Sequence, residues 1–359
     1  MTLWHMGEPR ARFSVLRRAE EAIAEFRGAG RALFLFFAGM LVISSLALLF
    51  MLESSITVPS PARGGSLTEG IVGSPRFINP ILALSDADRD LTALVYSGLL
   101  RATPEGEYLP DLASSYERSA DGLTYTAVLR EEAAFHDGTR VTAEDIIFTV
   151  HKAQASALKS PLRANWDGVG VEKVDDRTVR FTLKAPYAPF IENLTLGILP
   201  ARLWQSVSDE EFPFSELNTN PIGSGPYMVA GITRSQGGIP SAYTLRSNSS
   251  YPLGEPYLTT LTLQFYQTES ALAKALADGE VESGSGLSAE GLRGITQTPR
   301  TAPLNRVFGV FFNQNQSQVL RNRAVREALS QAVDREALVE EVLGGYGTPL
   351  MGPVPPSFL

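Results

Sequence analysis

Residues able to do acid/base or nucleophilic chemistry are few in this 359-residue chain. Histidine occurs three times, at His5, His136 and His151, and cysteine is absent. Without cysteine there is no thiolate nucleophile, no thiolate metal site and no disulfide. The pair His136-Asp137 could form an acid/base couple. It lies, however, in Phe135-His136-Asp137-Gly138-Thr139, where Asp and Gly are the residues of a tight turn, and a turn is the simpler reading. A nucleophile elbow needs Gly-x-Ser-x-Gly. Both Gly223-Ser224-Gly225 and Ser283-Gly284-Ser285-Gly286 lack the first glycine at the required spacing. Gly168-Val169-Gly170 lacks the third glycine of a dinucleotide fingerprint, and no Gly-x-x-x-x-Gly-Lys phosphate loop is present. His151 is expected in mid-helix as a half-buried packing residue. The acidic pairs Glu131-Glu132 and Glu340-Glu341 are expected on solvated faces. The pattern points to binding, with no metal and no cofactor implied, rather than to an enzyme.

The elements that would carry a binding site are mixed. The spacing predicts strands over 66–72, 124–129, 258–266 and 306–313, and a hairpin of 169–174 with 178–183 turning at Asp175-Asp176-Arg177. A helix is expected from Asp86 as cap through Leu91, Leu94, Val95 and Leu99. Thr142-Ala143-Glu144-Asp145 resembles a capping box ahead of Ile146, Ile147 and Val150. Further helices are expected at 269–277, stopped by Asp278-Gly279, at 322–333, and at 334–343, capped by Asp334 and stopped by Gly344-Gly345. Strands and helices do not alternate regularly, which argues for an α/β chain other than a simple doubly wound sheet or barrel.

Residues 32–52 contain 21 residues without a charge, about 31 Å as a helix and close to the thickness of a bilayer's hydrocarbon core. Six arginines precede this run and the next basic residue after it is Arg63, which predicts a cytoplasmic N-terminus. The expected organisation is a cytoplasmic segment 1–31, an uncleaved transmembrane helix 32–52, a Ser/Pro/Gly-rich linker 53–65 and an extracytoplasmic remainder. The apolar share of 44% suffices for a sizeable core, and the net charge of −8 gives no electrostatic footprint for nucleic acid.

A series of motifs runs through the extracytoplasmic part. It comprises Phe77-Ile78-Asn79-Pro80, then 91–101 (LTALVYSGLLR), 108–117 (YLPDLASSYE) and 121–126 (DGLTYT). Leu129-Arg130, the turn 135–139, 141–145 (VTAED) and 221–227 (PIGSGPY) follow, and the series ends with 322–349 and Pro353-Val354-Pro355-Pro356. In this order the motifs resemble the extracytoplasmic solute-binding proteins of peptide and nickel ABC transporters, the dipeptide- and oligopeptide-binding protein family. The resemblance implies a periplasmic-binding-protein-like two-lobed clamp of mixed sheets flanked by helices. Lobe I would span 66–310 with a subdomain inserted at about 99–219, and 311–359 would be the hinge and the start of an incomplete lobe II, as in a fragment. It further implies capture of a peptide or other small solute for ABC import, permease subunits as partners, and a monomer when complete. The alternative is a membrane-tethered sensor or scaffold with the same fold. Candidate solute contacts are Phe77, Asn79 and Ser85 on one stretch and Gly309, Phe311 and Asn313 on another. Asn79 and Asn313 would supply neutral hydrogen bonds, Gly309 close backbone approach and Phe311 an apolar wall.

Overall fold

The computed structural model describes residues 28–56, 62–104, 106–293, 295, 299 and 307–352. Most of the segment expected to be cytoplasmic, the middle of the expected linker, Arg306 and the Pro353–Pro356 motif therefore lie outside the described residues. The chain divides into two compact units, Met1–Ala62 and Arg63–Leu359.

The first unit holds helix α1, Ala29–Ile56, which extends past both ends of the uncharged run. Its stretch Ala29–Leu52 has a mean hydropathy of 2.6 and is long and apolar enough to cross a membrane.

The second unit is built on a five-stranded mixed sheet. Short single-turn helices aside, its elements in chain order are β1 (Ser66–Val72), helix α2 (Asp86–Val95), β2 (Leu100–Ala102), β3 (Tyr108–Pro110), β4 (Ala113–Arg118), β5 (Thr124–Leu129) and helix α3 (Ala143–Gln154). There follow β6 (Gly170–Lys173), β7 (Thr178–Thr182), β8 (Tyr227–Arg234), β9 (Pro240–Ser247), β10 (Thr260–Tyr266), helix α4 (Glu269–Asp278), β11 (Ser283–Ser285), helix α5 (Arg323–Gln331) and helix α6 (Arg335–Leu343). The main sheet has the order β11-β1-β10-β9-β8. Strand β1 runs parallel to both β10 and β11, with Ser66 opposite Thr260 and Glu69 opposite Ser283. Strands β9 and β8 complete it antiparallel. In β10 alternate residues Leu261, Leu263 and Phe265 are buried, as the period of a strand dictates.

A second sheet, β4-β5-β7-β6, is antiparallel throughout. Its hairpin β6–β7 turns where the sequence indicates, with Asp175 Oδ1 accepting from the Arg177 amide at 2.8 Å. A two-stranded sheet pairs β2 with β3, and the apolar interior follows the two larger sheets. One cluster gathers Leu99 to Ile198 around Trp166, Phe181 and Phe190, whose ring centroids lie 5.7–6.0 Å apart. The other joins Ile71, Ile78, Leu91 and Val95 to Leu199, Trp204, Phe212, Tyr243 and Leu263. A small third cluster, centred on Leu272 and Leu276 of α4, packs on the opposite face of the main sheet with Val72 and Tyr266.

Three local expectations are corrected. Helix α2 is capped by Ser85, one residue before Asp86, and ends at Val95, so Leu99 is not part of it. Ser85 has the extended backbone that a cap needs, and its hydroxyl reaches the Asp88 amide. Residues 307–313 form no strand, because a strand exists only with a ladder partner and none pairs with them among the described residues. His151 is exposed: the buried face of α3 is set by Ile146, Thr149, Val150 and Ala153, and a neighbour of Val150 points about 100° away. The capping box of α3 forms as read, Asp145 Oδ2 accepting from both the amide and the hydroxyl of Thr142 at 2.8 Å. Helices α5 and α6 carry no buried residue, and Leu329, Val333, Leu338 and Val342 are exposed.

Candidate solute site at the carboxyl edge of the sheet

Three adjacent parallel strands, β11, β1 and β10, end on one side of the main sheet. From β1 the chain passes to α2, whose Leu91 and Val95 join the core on one face. From β10 it passes to α4, whose Leu272 and Leu276 pack on the other face. The connections thus leave two neighbouring strands in opposite directions. A crevice at such a switch point, outside the carboxyl ends of the strands, is where open α/β sheets take ligands. The rim here is the loop 73–85. It starts at Gly73, whose amide bonds to Tyr266 O at 2.8 Å and ties the ends of β1 and β10 together.

This loop contains three of the six residues expected from sequence. Phe77 is half-buried against the main core, with the Arg76 guanidinium 5.3 Å above its ring. Asn79 is fully buried, and its amide is used internally: Nδ2 donates to Asn218 Oδ1 at 2.9 Å and Oδ1 accepts from the Ile81 amide at 2.9 Å. The expected hydrogen bond from Asn79 to a solute therefore gives way to a supporting role beneath the loop. Ser85 is exposed and serves as the cap of α2. Gly309, Phe311 and Asn313 are on the segment 307–314, where each is exposed. Phe311 is 88% exposed, and Asn313 Oδ1 accepts from the amides of Asn315 and Gln316. The 73–85 loop thus holds the first three residues, and among the described residues no hydrogen bond joins it to the 307–314 segment.

Other groups at the rim were not singled out from sequence. Leu84 is 59% exposed at the end of the loop, its carbonyl accepting from Arg89 Nη1 at 2.6 Å. Asp88 is almost fully buried and bonds to four loop amides. Burial by itself would raise its carboxyl, but the amides of Phe77, Arg76 and Ser85 outweigh that and hold it below the ordinary aspartate range. The pattern Ser85-x-x-Asp88 is the sequence signal for this residue, masked by placing the cap at Asp86. On β1, burial, and then the charge of Asp90, raise the carboxyl of Glu69, against a hydrogen bond from Ser285. Among the described residues no three His, Asp or Glu side chains converge as metal ligands. The arrangement offers a loop held in place by internal hydrogen bonds with Leu84 exposed beside half-buried Phe77. A groove of about 420 Å³ lies elsewhere, along edge strand β8 between Val229, Ile232 and Arg234 and the Glu216–Asn220 stretch.

The turn 135–139 is built as a latch. Gly138 takes φ +83° and its amide bonds to Phe135 O. His136 Nδ1 accepts from the Gly223 amide at 3.3 Å while Nε2 lies 3.1 Å from Gly225 O. Those partners specify the neutral ring with its proton on Nε2. Burial lowers the imidazole below its ordinary range, and the Gly225 carbonyl acts the other way. A base with a depressed folded pKa contributes stability above the unfolded value, about 6.5, that is lost as pH falls through the folded pKa. Asp111, raised by burial and bonded to Tyr251, carries the opposite sign, so the comparison must be between variants. Acidification from pH 7.5 to 5 is expected to lower the melting temperature of the wild type more than that of His136→Ala. At pH 7.5 the variant should be destabilised by on the order of 1–2 kcal/mol, the worth of two net hydrogen bonds. Parallel melting curves of the two proteins across this range would contradict the latch.

The chain is similar to known proteins over most of its length. The family description "Bacterial extracellular solute-binding proteins, family 5 Middle" matches residues 107–359. The oligopeptide-binding protein AppA of Bacillus subtilis is 28% identical over 296 residues, which is 80% of this chain and 53% of AppA. Among solved structures, the ABC transporter substrate-binding protein CtaP of Listeria monocytogenes is similar with a TM-score of 0.66 at 33% identity, over 77% of this chain and 56% of CtaP. AppA in complex with a nonapeptide is similar with a TM-score of 0.65 at 27% identity, over 83% of this chain and 59% of AppA. The chain therefore spans about half the length of the curated relatives it matches, and with more than half of its own length inside the family pattern it belongs to the bacterial extracellular solute-binding proteins of family 5.

Proposed function

We propose that this chain is the membrane-tethered, solute-capturing part of an ABC import system, that its solute is a peptide or a small molecule of similar polarity, and that it catalyses no reaction. The observation that carries the reading is the rim at the switch point of β1 and β10. There an irregular loop with exposed Leu84 and half-buried Phe77 is held rigidly by buried hydrogen bonds. Extended peptides are recognised by backbone hydrogen bonds combined with pockets for alternate side chains; the loop's own amides are used internally, so its contribution to such a site is a fixed, partly apolar wall. AppA, a relative over most of this chain, is an oligopeptide-binding protein. In this reading lobe I spans 66–310 with its subdomain at about 99–219. Gly309, Phe311 and Asn313 belong to the crossing toward the second lobe, where they face the solute from the other wall. Helix α1 stays in the mature protein as a single-pass anchor with the arginine-rich side in the cytoplasm, and permease subunits receive the cargo. The alternative, a membrane-tethered sensor or scaffold with the same fold that delivers no cargo to a permease, has no observation of its own in its favour.

The test is calorimetric titration of the full chain in detergent with trialanine and with a mixed-sequence nonapeptide pool. Saturable but weak binding is expected from at least one probe, since 311–359 supply only the start of the second wall in this reading. Heats indistinguishable from dilution for both probes would refute peptide capture.

A further inference from the structure

The 76–85 loop has no place in either sheet, yet its two ends converge on a single carboxylate. Asp88 Oδ1 accepts from the amides of Arg76 at 2.6 Å and Phe77 at 3.0 Å. Asp88 Oδ2 accepts from the amides of Leu84 at 3.2 Å and Ser85 at 3.1 Å. The carboxylate belongs to the first turn of α2 and is 1% exposed, and its own amide bonds to Ser85 Oγ at 3.1 Å. Between the two ends, the middle of the loop is fastened from below. Asn79 pairs with Asn218, and Ser160 Oγ donates to Ile81 O at 2.8 Å. Three of the four residues whose amides are clasped have exposed side chains: Arg76, which lies over Phe77 at one end, and Leu84 and Ser85 at the other.

We propose that Asp88 is a positioning residue for solute binding: its carboxylate clasps the two ends of the 76–85 loop and thereby fixes how far apart Phe77 and Leu84 stand at the rim. This rests on the reading that the rim takes a peptide. The chemistry is specific to a carboxylate. Both oxygens of an ionised Asp accept, and each accepts twice here. In Asn one oxygen becomes an NH2 group, a donor facing two donors, so one end of the loop must be released while the size of the side chain is unchanged. A glutamate keeps both acceptors but carries them one methylene further out, which misplaces both ends together.

The experiment uses the full chain in detergent and compares wild type, Asp88→Asn, Asp88→Glu and Thr149→Val. Thr149 is a control of equal depth. It is fully buried, donates to Asp145 O at 2.7 Å and accepts from the Leu199 amide at 3.0 Å, so its hydrogen bonds go to groups outside the loop. Residue-resolved hydrogen exchange reads the amides of residues 76, 77, 84 and 85, and calorimetry with the nonapeptide pool reads affinity. In Asp88→Asn, exchange at one pair of amides is expected to speed up at least tenfold and peptide affinity to fall at least tenfold. Thr149→Val should lose melting temperature with affinity within threefold of wild type. If Asp88→Asn does not fold, Asp88→Glu decides on the same two readouts. Unchanged protection of all four amides overturns the clasp. Lost protection with unchanged affinity overturns its role in binding while leaving peptide capture intact. A wild type that binds no peptide refutes the functional reading instead and with it the role in binding, and the exchange pattern still decides the clasp.

Discussion

Trp204→Ala is expected to cost about 3–5 kcal/mol of folding stability, the range for removing a fully buried tryptophan. Trp204 is 1% exposed, and its ring lies 4.2 Å from that of Phe212 at an interplanar angle of 33°. The loss combines the transfer of a large apolar surface with a cavity that the neighbours fill only in part. Those neighbours are constrained. Lys152 sits 5.4 Å over the Phe212 ring while paired with Asp209 at 2.5 Å. The effect should also reach the rim, because Phe212 O accepts from Asn218 Nδ2 at 2.7 Å and Asn218 holds Asn79. Chemical denaturation followed by circular dichroism measures it, with Trp204→Phe as a milder companion. A loss below about 1 kcal/mol would mean that the site collapses freely, which contradicts the close packing expected of a protein core.

Gly223→Ala is expected to destabilise by about 3 kcal/mol, at the upper end of the usual cost of overpacking. A Cβ at this position would stand 2.0 Å from Val95 O and 2.8 Å from Val95 C. Backbone, unlike the end of a flexible side chain, cannot step aside. Val95 is the last residue of α2, and its carbonyl accepts from the Gly225 amide at 2.8 Å. Relief of the clash must therefore move the 222–225 segment away from the helix end. That movement pulls against the Gly225 bond and against both His136 bonds to the same segment. Denaturation of the variant at neutral pH gives the size of the effect. The variant should also lose most of the acid sensitivity assigned to His136. A variant as stable as wild type would show that the segment sits more loosely on α2 than these distances state.

The sequence by itself determined the local elements whose causes are local. Alternation fixed β5 and β10, Asp334 and Gly344 fixed the ends of α6, and Gly279 with φ +73° fixed the end of α4. The turn at 135–139 was legible because Asp137 and Gly138 do the same work in any context. The family was legible too, since it rests on the order of motifs along the chain. Tertiary structure alone decided what depends on a partner far away in sequence. The segment 307–313 has the composition of a strand, but strand character comes from a ladder. Asn79 looks like a free hydrogen-bonding group until Asn218, 139 residues on, takes its amide. His136 looks like half of an acid/base pair until Gly223 and Gly225 occupy both ring nitrogens. The importance of Asp88 was hidden for the same reason. A capping aspartate is a local feature, but four amides meeting on one buried carboxylate depend on how a ten-residue loop folds back on itself. Buried polar groups must find partners wherever the fold supplies them, and a sequence names the groups without naming the partners.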